Sequence, residues 1–425
     1  MFGRRGTGRT RWSWVNGNDR SIVGYVMVSH AMVHTYEMAI PILMTVWLLE
    51  FSVSAAVLGA AVTVGYGLFG VGALPGGVLV DRYGAKLLIT VCLTGMGLSF
   101  LLLSVAPGIV GITAALAVWG LAASVYHPAG LTLISNGVEE RGAGFGYHGM
   151  AGNAGIAFGP LATALLLLAF DWRTAVAVLA VPALVVAVAG LLVDFDPAAA
   201  VELTDGGETA SKGSLRDLRS DTRRLFTVGF LTVFVIVSFN GLFYRGSLTF
   251  LPDLLGDFLE GTLGAVELFD PDSPVAEEFD LGQYLYVALL TVGIAGQYVG
   301  GRLTEALEPE RGLAAVLSTV TVVAVLFVPV ANTGLPALLA ASAVLGFVIF
   351  AVQPLTQATI AAYSPPDSRG LSFGYTYLAI FGIGAFGAAI VGVVLTHFSE
   401  LEVFLVLACF SASSVALAVT LLLRK

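Results

Sequence analysis

The chain has 425 residues, of which 57% are hydrophobic and 12% charged, and its formal net charge is −9. Together with a mean hydropathy of +0.89, these values exclude an ordinary water-soluble globule and indicate an integral membrane protein. No nucleic-acid partner is expected.

Segments long enough to cross a hydrocarbon core of ~30 Å fall at 22–47, 56–80, 86–106, 109–135, 143–169, 173–195, 225–252, 281–303, 312–331, 335–363, 371–397 and 401–423. They are dense in Gly, Ala and Val and show no alternating polar period, which argues for helices over a barrel. The expected fold is an all-α integral membrane protein with twelve transmembrane helices.

Span one carries Met27, His30, His34, Glu37 and Pro41 at spacings of three and four, so its polar groups share one stripe. A lipid-facing stripe cannot hold them, because a charge near a bilayer centre costs roughly 2.5 to 3.5 kcal/mol. Span four offers Tyr126-His127-Pro128, and span five opens with Tyr147-His148-Gly149 before Asn153. His127 is either a packed core histidine or a substrate ligand; His148 and Asn153 are packing, hydration or binding positions. In span seven Ser238, Gly241 and Arg245 share a face, and Arg245 precedes Pro252 by the same seven residues that separate His34 from Pro41. Span ten carries Val352-Gln353-Pro354, an echo of the span-four triplet.

These residue types suggest two chemistries. Glu37 is a carboxylate deep in a span, and its affinity for a proton depends on desolvation and on any nearby cation. An unperturbed imidazole titrates near neutrality, so the residue type of His30 and His34 suits sharing that proton. Arg245 is permanently charged and can fork two hydrogen bonds to a carboxylate or phosphonate. Tyr244, Tyr126, His127, Gln353 and Asn153 are further candidates for substrate contact. A static Glu37–Arg245 salt bridge between the halves is the structural alternative.

Orientation follows from Lys and Arg. The groups before span one (Arg4, Arg5, Arg9, Arg11, Arg20) and in the central loop (Lys212, Arg216, Arg219, Arg223, Arg224) lie on the side shared by both termini, and Arg173 alone falls opposite. By the positive-inside rule both termini are cytoplasmic, and the expected location is the plasma membrane. The first span is too long for a signal h-region and should be retained. Segment 253–280 is acidic and without a basic residue, either a cation funnel or a solvated loop. Cys92 and Cys409 lie inside spans and suggest no disulfide framework.

The chain repeats itself. Arg141-Gly142-Ala143-Gly144-Phe145-Gly146-Tyr147 opens span five, and Arg369-Gly370-Leu371-Ser372-Phe373-Gly374-Tyr375 opens span eleven, 228 residues later. Gly76-Gly77-Val78-Leu79-Val80-Asp81 ends span two, and Gly300-Gly301-Arg302-Leu303-Thr304-Glu305 ends span eight, 224 later. Two matches near one offset divide the chain into a six-helix bundle at 1–193, a polar linker at 194–224 and a second six-helix bundle at 225–425. Parallel repeats of this kind build secondary transporters with substrate near the midplane.

The loop Gly77-Val78-Leu79-Val80-Asp81-Arg82-Tyr83-Gly84-Ala85-Lys86 resembles the cytoplasmic signature G-x-L-x-D-R-x-G-x-[KR] of the major facilitator superfamily. The resemblance covers the whole chain and implies a small-molecule substrate, alternating access, no enzyme activity, no cofactor and a monomer. It implies that Asp81 meets the start of span eleven and latches the outward-facing state, with Gly77, Arg82, Gly84, Lys86, Arg141 and Arg369 completing a cytoplasmic gate. Gly155-Ile156-Ala157-Phe158-Gly159-Pro160 is similar to the family's exporter element G-x-x-x-G-P, though plain packing accounts for it nearly as well. The span-four arginine of proton-coupled exporters would fall at Leu116 and cannot be carried over. The histidines and Tyr126-His127-Pro128 most resemble the fosmidomycin-resistance branch, which implies efflux of a small anionic or amphipathic compound in exchange for protons. Proton- or sodium-coupled uptake of an organic anion is the alternative.

Other classes fit less well. None of Lys86, Lys212 and Lys425 follows a glycine, so a phosphate-cradling G-x-x-x-x-G-K-[ST] is absent. The G-x-G-x-x-G runs at Gly144 and Gly382 lie in membrane helices without a preceding strand and read as packing glycines. His30, His34 and Glu37 imitate a metal-ligand set, but the row is read as titratable and no metal is expected. A channel is opposed by the pseudo-symmetric halves.

Overall fold

The computed structural model describes residues 17–53, 55–201, 215–264 and 281–424. Arg4, Arg5, Arg9, Arg11 and Lys212, the linker core 202–214 and most of the acidic segment (265–280) lie outside the described residues. The described chain is helical: α1 (Gly17–Phe51), α2 (Ala55–Val71), α3 (Ala73–Tyr83), α4 (Ala85–Ser104), α5 (Ile109–Ser124), α6 (Tyr126–Gly137), α7 (Arg141–Ala169) and α8 (Trp172–Leu192) make the first bundle. After the connecting α9 (Leu215–Leu225) come α10 (Val228–Leu263), α11 (Leu281–Ala306), α12 (Pro309–Ala331), α13 (Leu335–Ala362), α14 (Arg369–Leu378), α15 (Ala385–His397) and α16 (Glu400–Leu423). Eleven of these stretches are long and apolar enough to cross a membrane, or twelve when α2 and α3, bent by 44°, count as one span.

Local chemistry accounts for the breaks. Gly72 sits at the α2–α3 bend, where a methyl would run into Ser124 and the Leu68 carbonyl. The α5–α6 break at Val125 precedes Pro128, which has no N–H for the carbonyl four residues back. Span eleven contains a π turn at Ala379–Ile383, closed by the Gly384 N–H on the Ala379 carbonyl at 2.9 Å.

The two halves repeat the same packing plan. In the first, α1 packs on α7, α2 on α5 and α4 on α8; in the second, α10 packs on α15, α11 on α13 and α12 on α16. These are spans one–five, two–four and three–six, then seven–eleven, eight–ten and nine–twelve. Small residues permit the approaches: methyls at Gly155 and Gly159 would strike Ala31 and Thr35 of α1, and methyls at Gly296 and Gly300 would strike the α13 backbone. Lipid tails give apolar helices no reason to leave them, so close van der Waals contact holds such bundles together. Leucines and valines such as Leu98, Leu165, Val185 and Val322 remain on the outer surface, where hydrocarbon replaces water.

Between the bundles, α3 packs on α14 and α7 on α11, again a pseudo-symmetric pair. Methyls at Gly77 and Gly142 would overlap the Gly370 carbonyl and Thr304 respectively. Asp81 accepts from the Gly370 and Leu371 N–H groups at 2.8 and 2.7 Å, satisfying otherwise unpaired donors at the positive end of α14. Its repeat counterpart Glu305 accepts from the Ala143 N–H at the start of α7, 3.2 Å away. Arg369 donates to the Ser135 carbonyl at 2.6 Å and to Asn136. All these contacts lie on the side of the two described chain ends.

Other residues expected around them make contacts elsewhere. Arg141 donates to the Ala200 carbonyl at 2.7 Å, Lys86 to the Val193 carbonyl at 2.5 Å, and Arg82 lies over the Tyr83 ring. Gly84 turns the chain at φ +87°, where a side chain would be strained. At the opposite end Glu50 accepts from Arg173 at 2.5 Å and from the Trp172 indole, tying α1 to α8. That hydrogen bond from Arg173 holds the Glu50 carboxyl below its usual range.

Asp81→Ala removes two charge-assisted hydrogen bonds of about 1.5–3 kcal/mol each. Ser135, fully buried at this contact, supplies a reporter as Ser135→Cys in a protein freed of Cys92 and Cys409. Thiol labelling from the terminal side should accelerate roughly tenfold or more when Asp81→Ala is added; an unchanged rate would show that this contact does not hold the face shut.

Candidate functional site

A cavity of ≈ 350 Å³ lies between the bundles. The first bundle contributes His30, His34 and Glu37 from α1 and His127 from α6; the second contributes Asn240, Tyr244 and Arg245 from α10 and Gln353 and Gln357 from α13. Tyr286, Tyr377 and Phe381 add aromatic wall. The helical spacing on α1 therefore points its polar stripe inward, between the bundles.

The histidines are mutually bonded. His34 Nδ1 lies 2.6 Å from Glu37 Oε2, His34 Nε2 lies 3.0 Å from His30 Nε2, and His30 Nε2 lies 3.3 Å from His127 Nε2. His30 Nδ1 is 2.6 Å from the His148 carbonyl, and the His148 ring stacks on the His30 ring at 3.7 Å. Tyr66 donates to the Glu37 carbonyl at 2.8 Å, and Tyr377 stacks on His127 at 4.4 Å. Arg245 faces the same cavity from the other bundle.

Counting protons in this chain exposes a conflict. A carbonyl only accepts, so His30 carries its hydrogen on Nδ1 and, when neutral, presents a bare Nε2. An ionised Glu37 likewise takes the hydrogen of His34 Nδ1, so neutral His34 presents a second bare Nε2 to the first at 3.0 Å. One added proton on the His34–Glu37 pair removes the clash. Imidazolium beside carboxylate, or neutral imidazole beside carboxylic acid, each gives His34 an Nε2–H to donate to His30.

Glu37 and Arg245 share the cavity without an ion pair; the ion-pair partner of Glu37 is His34. Arg245 lies instead over the Phe381 ring, 5.0 Å from its centre, a cation–π contact that leaves its hydrogen-bond donors uncommitted. Among the described residues no carboxylate reaches the Arg245 guanidinium. Phe381 belongs to the π turn, whose extra residue resets the helical register on that wall.

Two residues expected to meet substrate do not reach the cavity. Tyr126 is fully buried, its hydroxyl donating to the Val26 carbonyl at 2.5 Å and its ring stacked on His30. Asn153 is buried one turn beyond Gly149 and two beyond Gly146, glycines that meet Gln297 and Gly301 of α11. Tyr244, His127 and Gln353 do line the cavity, and Gln353 accepts from Gln297 at 2.8 Å. Gly155, Gly159 and Pro160 lie on α7, and the two glycines close it on α1.

Sequence reasoning passed over Asn240, Gln357, Tyr286, Tyr377 and Phe381. Asn240 had a usable signal, a polar residue one turn before Tyr244 in an apolar helix, and it donates to Thr356 at 3.3 Å. Phe381 had none, since an aromatic residue in a glycine-rich span marks no face.

The family model described as Major Facilitator Superfamily matches residues 26–268 and 271–425. The chain belongs to the Major Facilitator Superfamily. It is accordingly a multi-pass membrane protein of a transporter family rather than an enzyme. A 103-residue stretch is 37% identical to the puromycin resistance protein pur8 of Streptomyces alboniger, covering 24% of this chain and 20% of that relative's length. The human organic anion transporter MFSD10 (TETRAN) has the same fold, with a TM-score of 0.65 at 16% identity over 95% of this chain and all of that one.

A methyl at Gly152 would overlap the His30 ring. Gly152→Val is expected to cost about 1–3 kcal/mol by overpacking and to lower the Tm of the purified protein. Gly24→Val, with open space at the same atom, should leave it unchanged; equal Tm values for the two variants would count against the close His30–α7 packing.

Proposed function

We propose that this superfamily member is a proton-coupled antiporter that exports a small anionic or amphipathic organic solute by alternating access. One observation carries the reading: an uncommitted guanidinium, Arg245, shares a cavity between the two bundles with the proton-accepting His34–Glu37 pair. Arg245 is assigned to the anionic group of the solute, because a forked cation in a partly dehydrated site favours a carboxylate or phosphonate. Tyr244, Gln353 and His127 supply further polar contacts, and Tyr286, Tyr377 and Phe381 an apolar surface for the rest of the molecule. Glu37 takes the transported proton, with His34 and His30 sharing it.

The contacts at Asp81, Gly77 and Arg369 are assigned as the latch of the outward-open state, and alternation consists of breaking them. The excess of Lys and Arg near the terminal side supports a plasma-membrane location with both termini cytoplasmic. The structural relative is an organic anion transporter, which supports the solute class. The resistance protein supports the outward direction, and Tyr126-His127-Pro128 is the resemblance to the fosmidomycin-resistance branch.

Reconstituted into proteoliposomes, the protein should move an organic anion against its gradient when a pH gradient is imposed, and the direction of flux separates export from uptake. Glu37→Gln should abolish the pH-driven component while binding stays measurable; unchanged pH-driven flux would remove Glu37 from the coupling step. Arg245→Lys should weaken anion binding by roughly tenfold, the loss of one charge-assisted hydrogen bond. If the best substrate is a cation whose affinity ignores that change, the anion assignment fails.

A further inference from the structure

We infer that His30, His34 and His127 form a binding site for one divalent transition-metal ion of the zinc type, with its open coordination position facing the cavity. One ring nitrogen from each of the three lies within 4.8 Å of the others. The Nε2 atoms of His34 and His127 stand 3.0 and 3.3 Å from that of His30. Two ligands bound to zinc at 2.0–2.1 Å in a tetrahedron are separated by roughly 3.3 Å, so the observed edges already have the size of a coordination shell. Imidazole nitrogen is a ligand type that this class of ion selects.

The conflict between lone pairs strengthens the case. The His30 Nδ1 donates to the His148 carbonyl and, when Glu37 is ionised, the His34 Nδ1 donates to its carboxylate, which leaves both Nε2 atoms free to act as ligands beside each other. Bound metal histidines are oriented this way, with the remote nitrogen donating to a carbonyl or carboxylate. A proton links two of these nitrogens at a time, whereas one metal ion can engage a nitrogen from each of the three rings. The sequence stripe suggested His30, His34 and Glu37 as an imitation ligand set. The fold exchanges Glu37, which orients His34 from behind, for His127, which α6 delivers from ninety-seven residues away.

Every ligand belongs to the first bundle, so an ion bound here stays with that bundle while the other moves. The groups facing it are Glu37, the His148 ring stacked on His30, Tyr377 stacked on His127, and Arg245 from the opposite wall. The fourth ligand is then water or an anionic solute drawn from the cavity. If Glu37 and His34 carry the transported proton, an occupying metal also blocks pH-driven flux, but binding itself does not depend on that assignment.

The test uses tag-free full-length protein in chelator-free detergent micelles, titrated with Zn²⁺ by calorimetry and with Co²⁺ as a spectroscopic probe. One ion per chain is expected, with Co²⁺ showing the strong visible absorption of tetrahedral nitrogen coordination. His34→Ala and His127→Ala should each weaken binding at least about tenfold, and Glu37→Gln roughly 10–100-fold. His397→Ala, at the far end of α15, should change nothing. Should an alanine variant fail to give monodisperse helical protein, His34→Gln and His127→Gln replace it with near-equal volume. Absence of saturable binding to the unaltered protein overturns the inference, as does affinity that survives the paired His34 and His127 substitutions. Metal binding without any effect on flux would leave this site standing and count against the proton assignment alone.

Discussion

Backbone approach through glycine is the constraint on which this molecule depends. In hydrocarbon there is no gain from hiding one apolar surface against another, so helices remain together only where they can touch closely. Gly155 and Gly159 bring α7 onto α1, Gly296 and Gly300 bring α11 onto α13, and Gly77 and Gly142 bring the bundles together. His30 sits where it does because Gly152 leaves room for its ring, and its Nδ1 reaches the His148 carbonyl for the same reason.

The polar groups are divided unequally. Histidines and a carboxylate gather in the first bundle, bonded to one another, while Arg245 sits in the second over an aromatic ring. Glu37 is engaged with His34, whereas among the described residues no carboxylate reaches the Arg245 guanidinium, which lies over Phe381. The Tyr126 hydroxyl is committed outside the cavity, to the Val26 carbonyl.

The partner surface of Asp81 was what the family resemblance implied, whereas the spans and the internal repeat could be read from the chain because each is signalled by local spacing or by a motif that recurs at one offset. The stripe His30-His34-Glu37 was legible for the same reason, a helical period on one element. What stayed hidden depends on two elements crossing. His127 meets His30 only because α6 begins after the break at Val125 and turns its first residues toward α1. The sequence leaves Asn153 open between packing, hydration and substrate contact, because its polarity does not say which face it occupies; the glycines one and two turns before it are those that meet α11. Phe381 owes its place to one extra residue in a π turn, and no spacing rule anticipates a register shift of that kind.

The contacts between bundles are backbone against backbone, capped by Asp81 at one and Glu305 at the other. Contacts of this sort are short-ranged and stiff: a shift of about an ångström loses much of the attraction between two packed surfaces. The groups within the cavity interact over longer distances and change gradually as the walls separate. The molecule thus combines a brittle fastening at one face with longer-reaching electrostatics at its centre, and in the proposed alternation the first would release as a step while the second acts through the whole excursion.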